Sequence, residues 1–414
     1  MTDPTSRALP RAADPAIPLL IVLAGCTIAL MTFGPRSAMG LFQKPMLLDQ
    51  GWDRSTFGLA MAIQNLLWGA GQPFFGAIAD KYGAWRVLLL SAILYASGLY
   101  VMAVADAPIW LHVGGGVLVG LGIASGSFSI IMAAFARRVP AERRVIVFGM
   151  GTAAGSAGML VFPPISEGLI AAYGWSDALV VLAVVMLAIP VIAIPLAGSP
   201  KARAGAGAEY EQTIAAALRE ALATKSYLLL TAGFFVCGFQ VAFITVHFPA
   251  YITDKGLDPT IGAWALALIG GFNIIGSLAS GVIGQRYSKP IFLALLYLGR
   301  SVLVTWYLLT PITPATTLLF AAIMGLLWLS TVAPTNALVA TFFGTRYLGM
   351  LGGLVFFSHQ IGSFLGVWLG GVLYDLNGSY DPVWWLGVAL GVFAAVVHWP
   401  IKEEAVARPL PSAA

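Results

Sequence analysis

The sequence predicts an all-α integral membrane protein, with twelve transmembrane helices arranged as two six-helix halves. Three observations predict it. First, 59% of the 414 residues are hydrophobic and only 10% are charged, whereas a soluble domain is about 25% charged. So much apolar surface has no water-soluble core to hide in. Second, twelve apolar stretches come close to the ~20 residues that a helix needs to cross the hydrocarbon. Third, the second six repeat the first. Asp49-Gln50-Gly51-Trp52-Asp53 is matched by Asp254-Lys255-Gly256-Leu257-Asp258. The same spacing carries Gly71 onto Gly276, Gly76 onto Gly281, Lys81 onto Arg286 and Tyr82 onto Tyr287, and Gly149-Met150 recurs as Gly349-Met350. Six spans per half keep both repeats in one orientation, a geometry that favours a solute site between the halves near the midplane. Barrel strands would alternate apolar and polar residues in runs of about ten, and no stretch does.

The first span, Leu19–Phe42, follows a polar tail (residues 1–18) and holds a full charge within Phe33-Gly34-Pro35-Arg36-Ser37. A guanidinium at that depth costs about 2.5–3.5 kcal/mol on insertion scales and is tolerated when it faces a bundle interior or a wet cavity. Arg36 is therefore a candidate solute ligand, with snorkelling or helix packing as the alternative role. The second span, Thr56–Ile78, brings Gln64, Asn65 and Gln72 as neutral hydrogen-bonding groups. Val87–Val104 is apolar, and Trp110–Ala134 is rich in glycine. The fifth span, Val145–Ala171, carries Pro163-Pro164 and then Glu167 toward the outer surface, a candidate proton carrier. Asp177–Leu196 completes the first half, residues 19–196.

A polar linker, residues 197–226, follows. Ile214, Leu218 and Leu222 stand there at helical spacing, which suits a short amphipathic helix on the inner surface. The second half, residues 227–400, starts with Tyr227–Tyr251, where His247 lies nearer the outer end. Ile261–Ile283 contributes Asn273, and Ile291–Leu309 contributes Arg300, the second cation inside a span. Thr313–Phe342 comes next. Leu348–Leu373 places His359-Gln360 near mid-span on a helix whose Gly362, Gly366 and Gly370 admit close neighbours. Val383–Pro400 and a tail, residues 401–414, end the chain. His112 and His398 read as interfacial, and Cys26 and Cys237, without a CxxC or a histidine at ligand spacing, read as packing residues.

Of 22 Lys and Arg, Lys44, Arg54 and Lys255 fall in outer loops and Arg36 and Arg300 within spans. The rest lie in segments on the other side, which puts both termini in the cytoplasm and the protein in the inner membrane. The net charge of +4 is scattered over short loops, not gathered into a stripe that would bind nucleic acid. No Ser/His/Asp set, metal cluster or GxxxxGK[ST] loop occurs, so neither enzyme chemistry nor a cofactor is expected.

The first inner loop reads Gly76-Ala77-Ile78-Ala79-Asp80-Lys81-Tyr82-Gly83-Ala84-Trp85-Arg86. It closely resembles the signature between the second and third helices of the major facilitator superfamily. Gly76 and Gly83 permit close approach and a sharp turn, and the resemblance implies that Asp80, with Lys81 and Arg86, forms an inner-face latch. Gln285 stands at the place of Asp80 in the second half. Within the superfamily the first half resembles the monocarboxylate transporter branch. The resemblance rests on Phe33-Gly34-Pro35-Arg36-Ser37 with Phe42, the outer Gly51-Trp52 leading to Ser55-Thr56-Phe57, Gly120-Leu121-Gly122-Ile123-Ala124, and Arg143-Arg144 before Gly149. In that branch the basic residue of the first helix belongs to the substrate and proton site, which implies the role for Arg36. Its animal members carry an Asp and an Arg one turn apart on the eighth helix, where Asn273 and Ser277 stand here.

Together these readings lead to a secondary transporter of a small organic anion, monocarboxylate-like, with protons as the coupling partner and the bilayer as its solvent. Arg36, Arg300, His359, Asn65 and Asn273 are the expected substrate ligands, and Phe33 and Phe357 the apolar wall. His359, His247 and Glu167 are the proton-coupling candidates. A monomer is compatible with this reading. Efflux of an amphipathic compound is the alternative within transport, and a non-transporting membrane sensor the alternative outside it.

Overall fold

The computed structural model describes residues 18–139, 144–197, 213–344 and 347–406. Among them there is no strand. Ten helical segments are long and apolar enough to cross a membrane. One of these, Ile146–Ile192, bends at Gly174 (φ 83°) and makes two crossings, and Arg54–Tyr82 crosses beside them although it is less apolar. The crossings in order are α1 (Leu19–Gln50), α2 (Arg54–Tyr82), α3 (Ala84–Ala103), α4 (Pro108–Phe135), α5 (residues 144–173), α6 (residues 175–192), α7 (Lys225–Asp254), α8 (Pro259–Arg286), α9 (Lys289–Leu309), α10 (Pro314–Phe343), α11 (Leu348–Asn377) and α12 (Asp381–His398). A short helix, Ile214–Ala223, precedes α7, capped by the Thr213 hydroxyl and exposing Ile214 and Leu222.

Each set of six packs around its own apolar core. One core runs from Val22 to Leu196 and takes in Ala242, Val246 and Val367, and the other runs from Ala221 to Ile401 and takes in Ala38 and Leu41. His398, expected at an interface, is fully buried instead. Its ring stacks on Tyr297 at 5.1 Å, beside Gly233, where a side chain would collide with it.

In each half the fourth helix is broken. α4 loosens into a π-helical turn at His112–Leu118, over Gly114-Gly115-Gly116, and stops at Gly126-Ser127 before restarting. α10 unwinds over residues 328–331. Pro334 explains part of that second break, because it has no N–H to offer the Ser330 carbonyl one turn back. The Ser280 hydroxyl of α8 donates to that carbonyl instead.

The halves meet along two seams, α1 and α2 against α7 and α11, and α5 against α8. Outer and inner here follow the orientation expected from the basic residues. Toward the outer end glycines bring backbones together: Gly40 lies on the Thr245 and Val246 carbonyls, Gly58 on Val367, and Gly371 on Arg54 and Ser55. Near mid-span Gly69 meets Gln360, and Gly270 meets Met159 and Leu160. Two turns further inward on the same faces, a carbon added at Gly76 or Gly353 would meet nothing within 4 Å, and the same holds at Gly149 and Gly349. The bundle is closed at its outer end and splayed at its inner end.

Candidate functional site

Arg36 sits where the closed part of the first seam ends. Its helix is held against α5 by Gly34 and Gly158, which have no side chains to separate the two backbones. The Arg36 Nη2 donates to Asn65 Oδ1 at 2.7 Å, and the guanidinium carbon lies 4.4 Å from the centre of the Trp68 ring. Its Nε has no acceptor among the described residues. No carboxylate pairs with Arg36 among the described residues. Asn65 donates to its own helix at Met61, so it holds the cation with its oxygen.

The contact continues across the seam. Gln360 of α11 donates to the Asn65 carbonyl at 2.8 Å and accepts at 2.9 Å from Nδ1 of His359, which fixes the proton of that ring on Nδ1. A parallel aromatic path runs from Trp68, edge-on to Phe33 at 5.8 Å and to Phe356 at 5.4 Å. Phe356 in turn stacks on His359 at 5.7 Å. Arg36, Asn65 and His359 thus form one cluster spanning both halves. Phe33 and Phe357, expected to line it, are both partly buried, and Phe357 packs at Gly69.

Arg300 lies apart from Arg36, joined to the cluster through Cys237. Its Nη1 donates to the Cys237 sulfur at 3.4 Å, that sulfur also pairs with the Thr331 hydroxyl at 3.3 Å, and His359 lies in electrostatic reach of it. Arg300 is 1% exposed. Its remaining donors serve the break of α10 and, on α7, Gln240. Nε and Nη2 donate to the Leu327 carbonyl, Nη2 also to Trp328, and Nη1 to Gln240. Asn273 works at the same break, where its oxygen accepts from the Leu329 N–H at 3.0 Å. Its amide donates across the second seam to Ser156. Glu167 lies near the outer end of that seam, in electrostatic reach of Asp258.

His247 belongs to a different group. Its Nε2 donates to the Val367 carbonyl at 2.8 Å, so Nδ1 is left to accept from the Gln43 amide at 3.2 Å and the Tyr380 hydroxyl at 3.1 Å. Above it Arg54 donates to Tyr380, stacks 3.7 Å over Tyr374 and pairs with Asp254 at 2.7 Å, and Lys44 pairs with Asp254 at 3.3 Å. Asp375 of α11 accepts the first N–H groups of α2, from Arg54 and Ser55, a carboxylate at a helix N-terminus. These residues bolt the outer end shut across the halves.

On the inner side Gly83 turns the chain from α2 to α3 with φ 92° and ψ 148°, a conformation essentially restricted to glycine. Lys81 and Arg86 are exposed there, and Gly76 has open space around it. The side chain of Asp80, the expected latch, is outside the described residues.

Sequence reasoning missed the outer bolt and Trp68. Lys44 and Arg54 had been counted only as outer-loop charges, and Asp254 only as part of the repeat. An acidic and two basic residues at outer span ends were the available signal.

Asp254→Asn should weaken the bolt by removing both ion pairs. Partly exposed pairs contribute about 1 kcal/mol or less each, so the open-to-closed ratio is expected to rise about five- to tenfold. Spin labels at the exposed Leu48 and Leu376 positions, in a background without Cys26 and Cys237, read this as a gain of longer distances. An unchanged distribution would show that these pairs do not hold the gate.

The family model of the Major Facilitator Superfamily matches residues 23–367. The chain is 24% identical over 352 residues to the uncharacterized MFS-type transporter YcxA of Bacillus subtilis (strain 168), covering 83% of this chain and 85% of that one. It is 26% identical over 378 residues to Monocarboxylate transporter 13 of Bos taurus, covering 87% and 84%. Among solved structures, a bacterial homolog of the human lysosomal transporter Spinster, in an inward-facing and unoccupied conformation, superposes with a TM-score of 0.75. It shares 15% identity, over 93% of this chain and 97% of that one, a likeness of fold.

Proposed function

The chain is a transporter of the Major Facilitator Superfamily, and on that premise we propose that its solute is a small organic anion of the monocarboxylate kind. It crosses by alternating access in symport with a proton. The observation that carries this reading is Arg36: a cation at the seam between the halves, without a carboxylate partner among the described residues and with its Nε–H unengaged. The planar fork of a guanidinium matches a carboxylate, and an anion bound there touches both halves through Asn65 and Gln360. The name of one relative, Monocarboxylate transporter 13, supports the solute class. The membrane is the inner one, with both termini cytoplasmic, as the basic residues favour.

His359 is the coupling group in this reading. An imidazole can carry a proton, and Gln360 and Asn65 connect this one to Arg36. A carboxylate at Arg36 and a proton at His359 bring opposite charges into one cluster. Solute and proton then bind cooperatively. Arg300, with its donors on α10, holds the helix break and the Cys237 side of His359. Asn273 holds the second seam, and Asp80, Lys81 and Arg86 serve the inner latch.

The test is uptake into proteoliposomes of labelled lactate, pyruvate and propionate, with and without an inward proton gradient. Gradient-driven accumulation is the expected result, and a protein that moves none of them overturns the anion reading. His359→Gln should keep exchange of labelled for unlabelled solute and lose accumulation. Accumulation at the wild-type level would remove His359 as the proton carrier.

A further inference from the structure

Two buried N–H groups at the seam have no acceptor among the described residues: Nε of Arg36 and Nε1 of Trp68. They belong to side chains in direct contact, the guanidinium carbon lying 4.4 Å from the Trp68 ring centre. Buried donors are nearly always paired, and one that is not calls for a partner from outside the chain. Other described orphans do not have this setting. The Tyr297 hydroxyl and His398 Nε2 lie in the α9–α12 packing, and the arginine beside Tyr297 has its donors engaged. An indole can only donate, so a Trp68 partner must bring an acceptor, and the adjacent charge selects an anionic one.

We propose that Trp68 is a solute ligand: its indole N–H and the Arg36 Nε–H each take one oxygen of a planar carboxylate. Phe33 and Phe356, edge-on to the indole on two sides, then bound the space for the solute's carbon skeleton, which suits a compact monocarboxylate. This rests on the reading of Arg36 as the anion ligand and adds a second donor from α2. Trp68 thereby acts in recognition as well as supporting the guanidinium.

The experiment uses the full-length protein in proteoliposomes, with labelled lactate and pyruvate as probes. Trp68→Phe keeps an aromatic ring under the guanidinium and deletes the N–H. KM is expected to rise about tenfold or more, the loss of one hydrogen bond to a charged group, with the maximal exchange rate and melting temperature unchanged. Arg36→Lys, which loses the fork, should combine with Trp68→Phe less than additively, because both donors serve one carboxylate. If the ring matters only as a platform, Trp68→Phe will transport with the wild-type KM while Trp68→Leu is impaired. That result overturns the proposal and leaves the Arg36 reading intact. Failure of the wild type to move either probe would instead fail the broader reading, and this proposal with it.

Discussion

Uptake of monocarboxylates at low concentration is expected to fall roughly 10- to 150-fold in Arg36→Ala, because a charge-assisted hydrogen bond of about 1.5–3 kcal/mol to the carboxylate disappears. The same protein should be as heat-stable as the wild type, or more so. Among the described residues Arg36 has one hydrogen bond and no counter-ion, and a charge at that depth costs about 2.5–3.5 kcal/mol on insertion scales. Function and stability should therefore move in different directions on one substitution. Labelled uptake together with a melting curve in detergent checks both. A folded Arg36→Ala protein with normal uptake would remove the anion site.

The other intramembrane arginine should behave in the opposite manner. Arg300→Ala leaves the Leu327 and Trp328 carbonyls buried without their charged donor. The expected loss is roughly 2–4 kcal/mol of stability, on the scale of one or two such bonds. Yield and melting temperature are the readouts, and both should fall well below those of Arg36→Ala. Arg300→Lys should restore stability only in part, because a point charge cannot fork between two carbonyls. An Arg300→Ala protein of normal stability that no longer binds carboxylate would make Arg300 a solute ligand after all.

The contrast between the two arginines also marks how far sequence reasoning reaches. Helices that cross a membrane must be apolar for their whole length, so the spans stand out, and an isolated Arg36 or His359 stands out within them. The family assignment follows from the loop between Gly76 and Arg86. What a buried cation faces is set by its neighbours. Arg300 reads like Arg36 in the chain, yet it meets the carbonyls of a helix break whose only local mark is Pro334. The bolt at the outer end joins Arg54 to Asp254, Asp375 and Tyr380, residues in other spans and loops. Charges in short loops carry no periodicity from which such a pairing can be read. Trp68 escaped for a different reason: its donor is a single atom on a side chain that counts as apolar.

The two repeats use their matched carboxylates unequally. Asp49 accepts from Trp175 within its own half at 3.2 Å, while Asp254, its counterpart, reaches across to Lys44 and Arg54. At the outer end of the other seam Glu167 is near Asp258, with like charges in place of a bond. Duplication therefore supplied a spare aspartate without supplying a spare lock. Tolerance to change should follow that inequality: a lineage could lose Asp49 at the cost of contacts within its own half, whereas loss of Asp254 would be felt by the whole transport cycle.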